Sequence, residues 1–290
     1  MLTLPLMGLL ALGILWVNTL LIVLSALKEA AALSARRRAM PLLPPGARGP
    51  GLLEGRVLRG AGRTGALAGR RVDQVGRAGS GDAGRETILF SDRKYDGEIY
   101  GGAVEVPGES GPPRALEVSP VMVAEVWMPP AAMREAAACP SASRFDEAYP
   151  HARKARGYSR TVEAMLRPGS PVWILGERTL GADPPEVVPT LIAGLDPRAW
   201  CRSKVLGLVA FSVAVLVVAS GCTAVALVPP VFGGVSKLGG ALCLGFFLLV
   251  QPAGTAMREA VRSPAQAVLQ GRWERRELGG RAPADSVSPS

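Results

Sequence analysis

Side chains that usually carry chemistry are scarce in this chain: one histidine and four cysteines in 290 residues, with aromatics at 5%. A tetrahedral zinc site takes about four Cys or His ligands. With His151 alone and Cys139, Cys201, Cys222 and Cys243 scattered singly, the sequence argues against a metal cluster within one chain and against a disulfide framework. Charge is also missing, but only locally. Residues 1–27, 205–236 and 238–257 contain no Asp, Glu, Lys or Arg, although the chain carries 33 Lys+Arg against 24 Asp+Glu and a net charge of +9. The apolar content therefore gathers at the two ends, which excludes an ordinary soluble enzyme.

A helix rises about 1.5 Å per residue, so roughly 20 apolar residues cross a hydrocarbon core of ~30 Å. Residues 1–28 are long enough for a transmembrane anchor. A secretory signal opens with a basic region, whereas here Lys28, Arg36, Arg37 and Arg38 come after the apolar run. Positive residues stay cytoplasmic, so the N-terminus is expected outside and the following chain inside, a cleaved signal being the alternative. Residues 204–228 form a second run, preceded by Arg198 and Arg202, opening on Lys204 and closed by Pro229 and Pro230, which orients it outward. A third, 231–253, returns the chain to the side of Arg258, Arg262 and Arg272. Lys237 interrupts this run, but a helix starting near Val231 leaves it about two turns from the outer end, where its stem snorkels to the headgroups. An ion or lipid contact inside the bundle is the functional alternative for Lys237. Gly233, Gly234, Gly239, Gly240 and Gly245 suit close packing against Gly207, Ala210 and Gly221, or association between copies of the chain. Asn18 is the other intramembrane polar residue, able to bond across to the hairpin or simply tolerated.

The chain between the spans has a different composition. Residues 29–50 read as a basic, Pro-rich linker, with Pro41, Pro44, Pro45 and Pro50. Residues 51–200 read as a small β-rich domain, with strands expected at 52–59, 86–92, 98–106 and 171–176, a strand pair or one long strand over 115–128, a turn at Asp96-Gly97, and short helices at 131–138 and 144–155. Between Lys28 and Lys204 there are 26 basic and 20 acidic residues. That excess sits near the membrane ends and over 56–77, which points to anionic lipid headgroups; nucleic acid is disfavoured because no aromatic residues interleave. The tail, 257–290, reads as a basic segment, amphipathic at the interface or solvated, with Trp273 at headgroup depth, and then as disordered.

Two candidate sites for chemistry stand out, each with a plainer reading. Gly60-Ala61-Gly62-Arg63-Thr64-Gly65 matches GxGxxG after a strand, with Asp82 downstream. A dinucleotide site needs that last glycine to open a helix in a βαβ unit. No helical apolar period comes after it, so a flexible basic loop is expected. His151 lies near Asp146 and Glu147 in sequence, with Ser159 a conceivable nucleophile, but nothing marks the set out from a surface histidine beside Pro150. No catalytic residue, metal ligand or cofactor is assigned.

The segment 160–169, Arg-Thr-Val-Glu-Ala-Met-Leu-Arg-Pro-Gly, running into Val172-Trp173-Ile174-Leu175-Gly176-Glu177 and followed by 195–200 and a membrane helix, resembles the end of a GIDE-type, or beside-a-membrane, domain. Such domains occur in MULAN-type mitochondrial ubiquitin ligases and in many bacterial membrane proteins. The residues that carry the resemblance are Glu163, Leu166, Gly169, Val172, Gly176 and Glu177. The resemblance implies a membrane-proximal interaction or sensing domain. It does not imply ligase chemistry, because the family's RING binds two zinc ions after the second membrane helix and this chain has no Cys or His beyond Cys243.

The expected protein is thus an α+β membrane protein, with an N-terminal anchor and a C-terminal hairpin flanking a small β-rich domain. The Gly-, Arg- and Ala-rich usage suggests a bacterial inner membrane. The domain is expected to recognise a protein partner, a lipid headgroup or a small ligand without catalysing a reaction. A pore-forming effector of a bacterial conflict system is the first alternative, and an enzyme using His151 or the glycine loop the second.

Overall fold

The computed structural model describes residues 4–44, 47, 49–80, 86–108, 112–137, 158–179, 185–227, 237–261 and 271–274. The chain forms two compact units, one from residues 1–41 and 197–262, the other from 42–196 and 263–290.

The first unit is helical. Helix α1 (Leu4–Arg38) has an uncharged, Leu-rich body and ends on Arg36, Arg37 and Arg38, cations suited to the negative end of the helix dipole. It continues as helix well past Leu27, so the stretch expected as the start of a linker is its last turns. The second unit's elements intervene in the chain, and among them the helix Pro130–Ala137 is α2. Helix α3 (Pro197–Leu227) opens on proline, which at the first helical position removes only an N–H that would have had no partner. Helix α4 spans Lys237–Val261 and contains Pro252. The buried positions Leu12, Leu15, Thr19, Val23, Ala26, Ala30 and Leu33 recur every three or four residues along α1, as do Leu208, Ser212, Val215 and Ala219 along α3, with Ala226 seven residues further on. That spacing forms one stripe per helix, and the stripes meet Cys243, Phe246 and Val250 of α4 in a shared core. By length and composition α1 and α3 are able to cross a bilayer, whereas the apolar part of α4, Ala241–Met257, is shorter. The expected start of the third span, 231–236, lies outside the described residues.

The second unit is built from strands. Strands β1 (Gly49–Gly60), β4 (Gly102–Val106) and β5 (Arg114–Val118) follow one another antiparallel, and β8 (Pro171–Thr179) returns to the other edge of β1. The resulting order, β8-β1-β4-β5, is a Greek key. Strand β9 (Glu186–Ala193) pairs antiparallel with β8 and parallel with β5, closing a five-stranded barrel. A five-stranded Greek-key barrel is the architecture of OB-type domains, and architecture alone assigns no function. Short β6 (Glu125–Trp127) continues along the edge of β9 where β5 stops. Pro189 falls in the gap between those two parallel pairings and beside a register shift in β8, so its missing N–H costs no ladder bond.

A second sheet runs β10-β3-β2-β7, where β2 is Ala68–Ser80, β3 Glu86–Ile99, β7 Tyr158–Leu166 and β10 Gly271–Glu274. Val72, Ile99, Val162 and Leu166 of this sheet share one core with Val57, Val104, Leu116, Ile174 and Ile192 of the barrel, and Met133 of α2 packs into it.

Two local expectations change. Asp96-Gly97 is inside β3, not a turn. A Cβ on Gly97 would lie 2.4 Å from the Ala124 carbonyl oxygen, so glycine serves a close backbone approach there. Strands β3 and β4 belong to different sheets, and the link between them passes through Gly101 and Gly102, whose φ of +81° and +144° suit glycine. Residues 66–80, expected as flexible loop, are largely β2, held between β3 and β7 by ladder pairing despite few apolar side chains.

Candidate functional site

Strand β4 pairs with β1 only over Arg56–Gly60, which leaves the first half of β1 unpaired on that edge. Residues 42 and 43 come alongside there: Leu42 bridges Leu52, and the Leu43 N–H donates to the Leu52 carbonyl at 2.9 Å. The seam between this segment and the end of β4 holds a cavity of about 270 Å³. The cavity is lined by Leu42, Leu43 and Pro44 of this segment, by Leu52 and Leu53 of β1, and by Val106 and Pro107 at the end of β4, with the exposed Glu54 at the rim.

Among the described residues the cation lining the cavity is Arg178. Its position follows from strand period. Val172, Ile174, Gly176 and Arg178 alternate on the buried face of β8, and Arg178 lies in register between Gly49 and Val187. Only 7% of Arg178 is exposed. Its Nη1 donates to the Ala47 carbonyl at 3.5 Å, a long bond, and its Nε has no hydrogen-bond partner among the described residues.

The residues that carry the family resemblance do not converge. Leu166 and Val172 are core, Gly169 makes the β7–β8 turn at a φ of +83°, and Glu163 and Glu177 are on exposed faces. Gly176 is required by packing, since a Cβ there would lie 2.3 Å from the Val188 carbonyl oxygen. Glu163 does have a partner: burial pushes the Tyr100 phenol pKa up, and a hydrogen bond and the nearby charge of Glu163 add to this.

The glycine motif is no dinucleotide site. Gly60 ends β1, Arg63–Gly65 is a single 3-10 turn, and the next element is β2, an antiparallel strand and not a helix. A Cβ on Gly62 would lie 2.2 Å from the Tyr100 ring, so this glycine is needed for packing. His151, Asp146, Glu147 and Cys139 lie outside the described residues. Among the described residues no group of three His, Cys, Asp or Glu is placed to hold a metal ion.

In the helical unit, Asn18 donates to the Ile14 carbonyl of its own helix at 2.9 Å and not across to the hairpin. A bond between helices comes from Trp16, whose Nε1 donates to Thr223 Oγ1 at 3.0 Å. A second cavity, of about 280 Å³, lies between the helices, lined by Asn18, Ser25 and Glu29 of α1 and Gln251 and Thr255 of α4 together with apolar residues such as Ile22, Leu208 and Phe211. Lys28, Arg37 and Arg38 are exposed and Arg36 half-buried, and Lys204 lies over the Trp200 ring at 5.7 Å. Lys237 is the first residue of α4. Trp273, expected in an interfacial segment, is in β10 opposite Ile88, where the strand covers an edge of β3.

One electrostatic detail of the second sheet is open to direct test. Thr161 Oγ1 donates to Asp73 Oδ1 at 2.8 Å across the β2–β7 ladder and, with Arg71, holds that carboxyl below its usual pKa. Because the folded-state pKa is depressed, the contribution to stability is present above the unfolded pKa and is lost as pH falls through the folded one. Thr161→Val is expected to raise the Asp73 midpoint toward the ordinary range in a carboxyl NMR titration. An unmoved midpoint would show that the hydroxyl does not set it.

Comparison with known proteins finds no matching family model, no matching curated protein and no matching solved structure.

Proposed function

We propose that this chain is a non-catalytic membrane protein whose β-barrel unit is a binding module, held beside the bilayer by the anchor and the hairpin. What carries this reading is the seam cavity, an apolar hollow whose described lining includes one buried cation, Arg178. The bundle's outer surface supports the membrane part. Leu21, Leu24, Leu206, Val217, Leu248 and Leu249 are each at least 60% exposed, an apolar surface that suits lipid better than water. The resemblance of residues 160–177 to GIDE-type domains supports recognition next to a membrane. In this reading α4 is the third span and the N-terminus is outside. The barrel and tail then share the cytoplasmic face of a bacterial inner membrane, with anionic headgroups near Lys28, Arg36, Arg37, Arg38 and Lys204, and glycine-rich helix faces available to a second copy.

The test is a thermal-shift screen of the full chain in nanodiscs against small anions, cations, neutral amphiphiles and peptides, repeated on Leu43→Trp, which fills the cavity. A ligand present at about 100 times its Kd stabilises by roughly 2.7 kcal/mol, a readily measured shift. A shift lost in Leu43→Trp is the expected result. If no compound shifts the wild-type chain, or every shift survives the cavity-filling change, the binding-module reading fails.

The partly polar cavity among α1, α3 and α4 favours a second reading, a membrane-permeabilising effector. Ion leakage from loaded vesicles that is lost in Gln251→Leu would support it, and intact vesicles would end it.

A further inference from the structure

Arg178 poses an unsolved problem in electrostatics. A guanidinium stays charged in proteins, and taking one out of water without a counter-charge is costly. Here 93% of the residue is removed from solvent, and among the described residues its one hydrogen bond is long and no acidic side chain pairs with it. The cavity beside it is lined mostly by carbon.

We propose that the seam binds a small monoanionic carboxylate with an apolar tail, the carboxylate on Arg178 and the tail against Leu43, Leu53 and Val106. This rests on reading the barrel as a binding module and names the ligand class for that same site. Charge complementarity comes first. The planar guanidinium fork matches a carboxylate with two parallel hydrogen bonds, and the pairing supplies a counter-charge that the described residues do not. A doubly charged phosphate fits less well, because one cation leaves its second charge against an apolar wall with Glu54 at the rim. Size comes second. A volume of about 270 Å³ corresponds to roughly nine water-sized groups, enough for a short-chain carboxylate and too little for a whole membrane lipid.

The experiment uses the full chain in nanodiscs of zwitterionic lipid, titrated with hexanoate by calorimetry against empty discs. Saturable binding above the empty-disc signal is expected. Hexan-1-ol and hexylammonium should bind at least tenfold more weakly, and Arg178→Met should weaken hexanoate about tenfold or more, the usual worth of a charged hydrogen bond. Arg178→Lys should lose less than Arg178→Met, and Glu54→Gln should tighten binding by removing a like charge. If Arg178→Met fails to fold, Arg178→Lys and Leu43→Trp, judged by unchanged far-UV dichroism, still decide the matter. Equal binding of hexanol, hexanoate binding that ignores every Arg178 variant, weaker binding in Glu54→Gln, or no saturable binding would overturn the proposal. If hexanoate fails while another screened compound binds in a Leu43→Trp-sensitive way, the ligand class is wrong and the binding-module reading stands. If nothing binds, both fall.

Discussion

Ile174→Ala is expected to destabilise the barrel unit by about 2–5 kcal/mol, the range for removing a large aliphatic side chain from a packed core. Ile174 is 1% exposed in the middle of β8, in register with Leu53 of β1 on one side and Ile192 of β9 on the other, and all three belong to one core. Strands on both sides are tied into the closed barrel, which limits how far they can move in to fill the void, so the cost should fall toward the upper end. Single domains have only about 5–15 kcal/mol in total, so a large part of the population would unfold under mild denaturant. The control is Leu58→Ala on β1, 46% exposed, which should cost less than about 1 kcal/mol. Urea titration followed by tryptophan fluorescence reads both. Equal midpoints for the two variants would mean that Ile174 is not in a packed interior, and the closure of the barrel through β5 and β9 would have to be abandoned.

Whether an element is legible in the sequence depends on where its stabilisation comes from. The apolar stretch of α1, the body of α3, and β1 and β8 announce themselves through composition or period, because each buries a face made of its own Leu, Val and Ile. Strand β2 does not. Its sequence, AGRRVDQVGRAGS, has few residues that favour strands, and it is extended because β3 and β7 pair with it on both edges. That information lies in the partners, so a local reading of glycine and arginine gives loop. The same cause makes Asp96-Gly97 read as a turn, where glycine in fact answers a contact with Ala124, a residue distant in sequence.

The candidate site is hidden for a subtler reason. Arg178 looks like any basic residue near the end of an exposed run. Its signal is parity: once Val172 and Ile174 are assigned to the inner face of β8, period two puts Arg178 on that face as well. A charged residue on the buried parity of a strand is rare enough to ask what pairs with it. The cavity itself has no sequence signature, because it depends on β1 parting from β4 and on residues 42 and 43 taking the vacated edge.

Gly60→Ala is expected to cost about 3 kcal/mol or more, since overpacking against backbone leaves little room to relax. A Cβ on Gly60 would lie 2.0 Å from the Ala66 carbonyl oxygen and 2.3 Å from the Leu67 nitrogen, so the 61–66 loop would have to move as a body. That loop is held by bonds from Ala61 N–H to the Gly101 carbonyl at 2.9 Å and from Gly62 N–H to the Ala66 carbonyl at 3.0 Å, which would break with it. Two other glycines separate this cause from a general dislike of substitution. Gly169 has a φ of +83° with nothing within 4 Å of a new Cβ, so alanine there should cost only backbone strain, about 1–2 kcal/mol. Gly13 is in the body of α1 with equally open space, where alanine should stabilise the helical unit by up to about 1 kcal/mol. Denaturation midpoints in the order Gly13→Ala, Gly169→Ala, Gly60→Ala, from most to least stable, are the expected outcome. The series also decides what the glycine motif is for. Glycines kept to let a phosphate approach would tolerate alanine with stability intact and binding lost, whereas glycines kept for packing lose stability first. An unchanged midpoint for Gly60→Ala would remove the packing account and reopen the loop as a binding element.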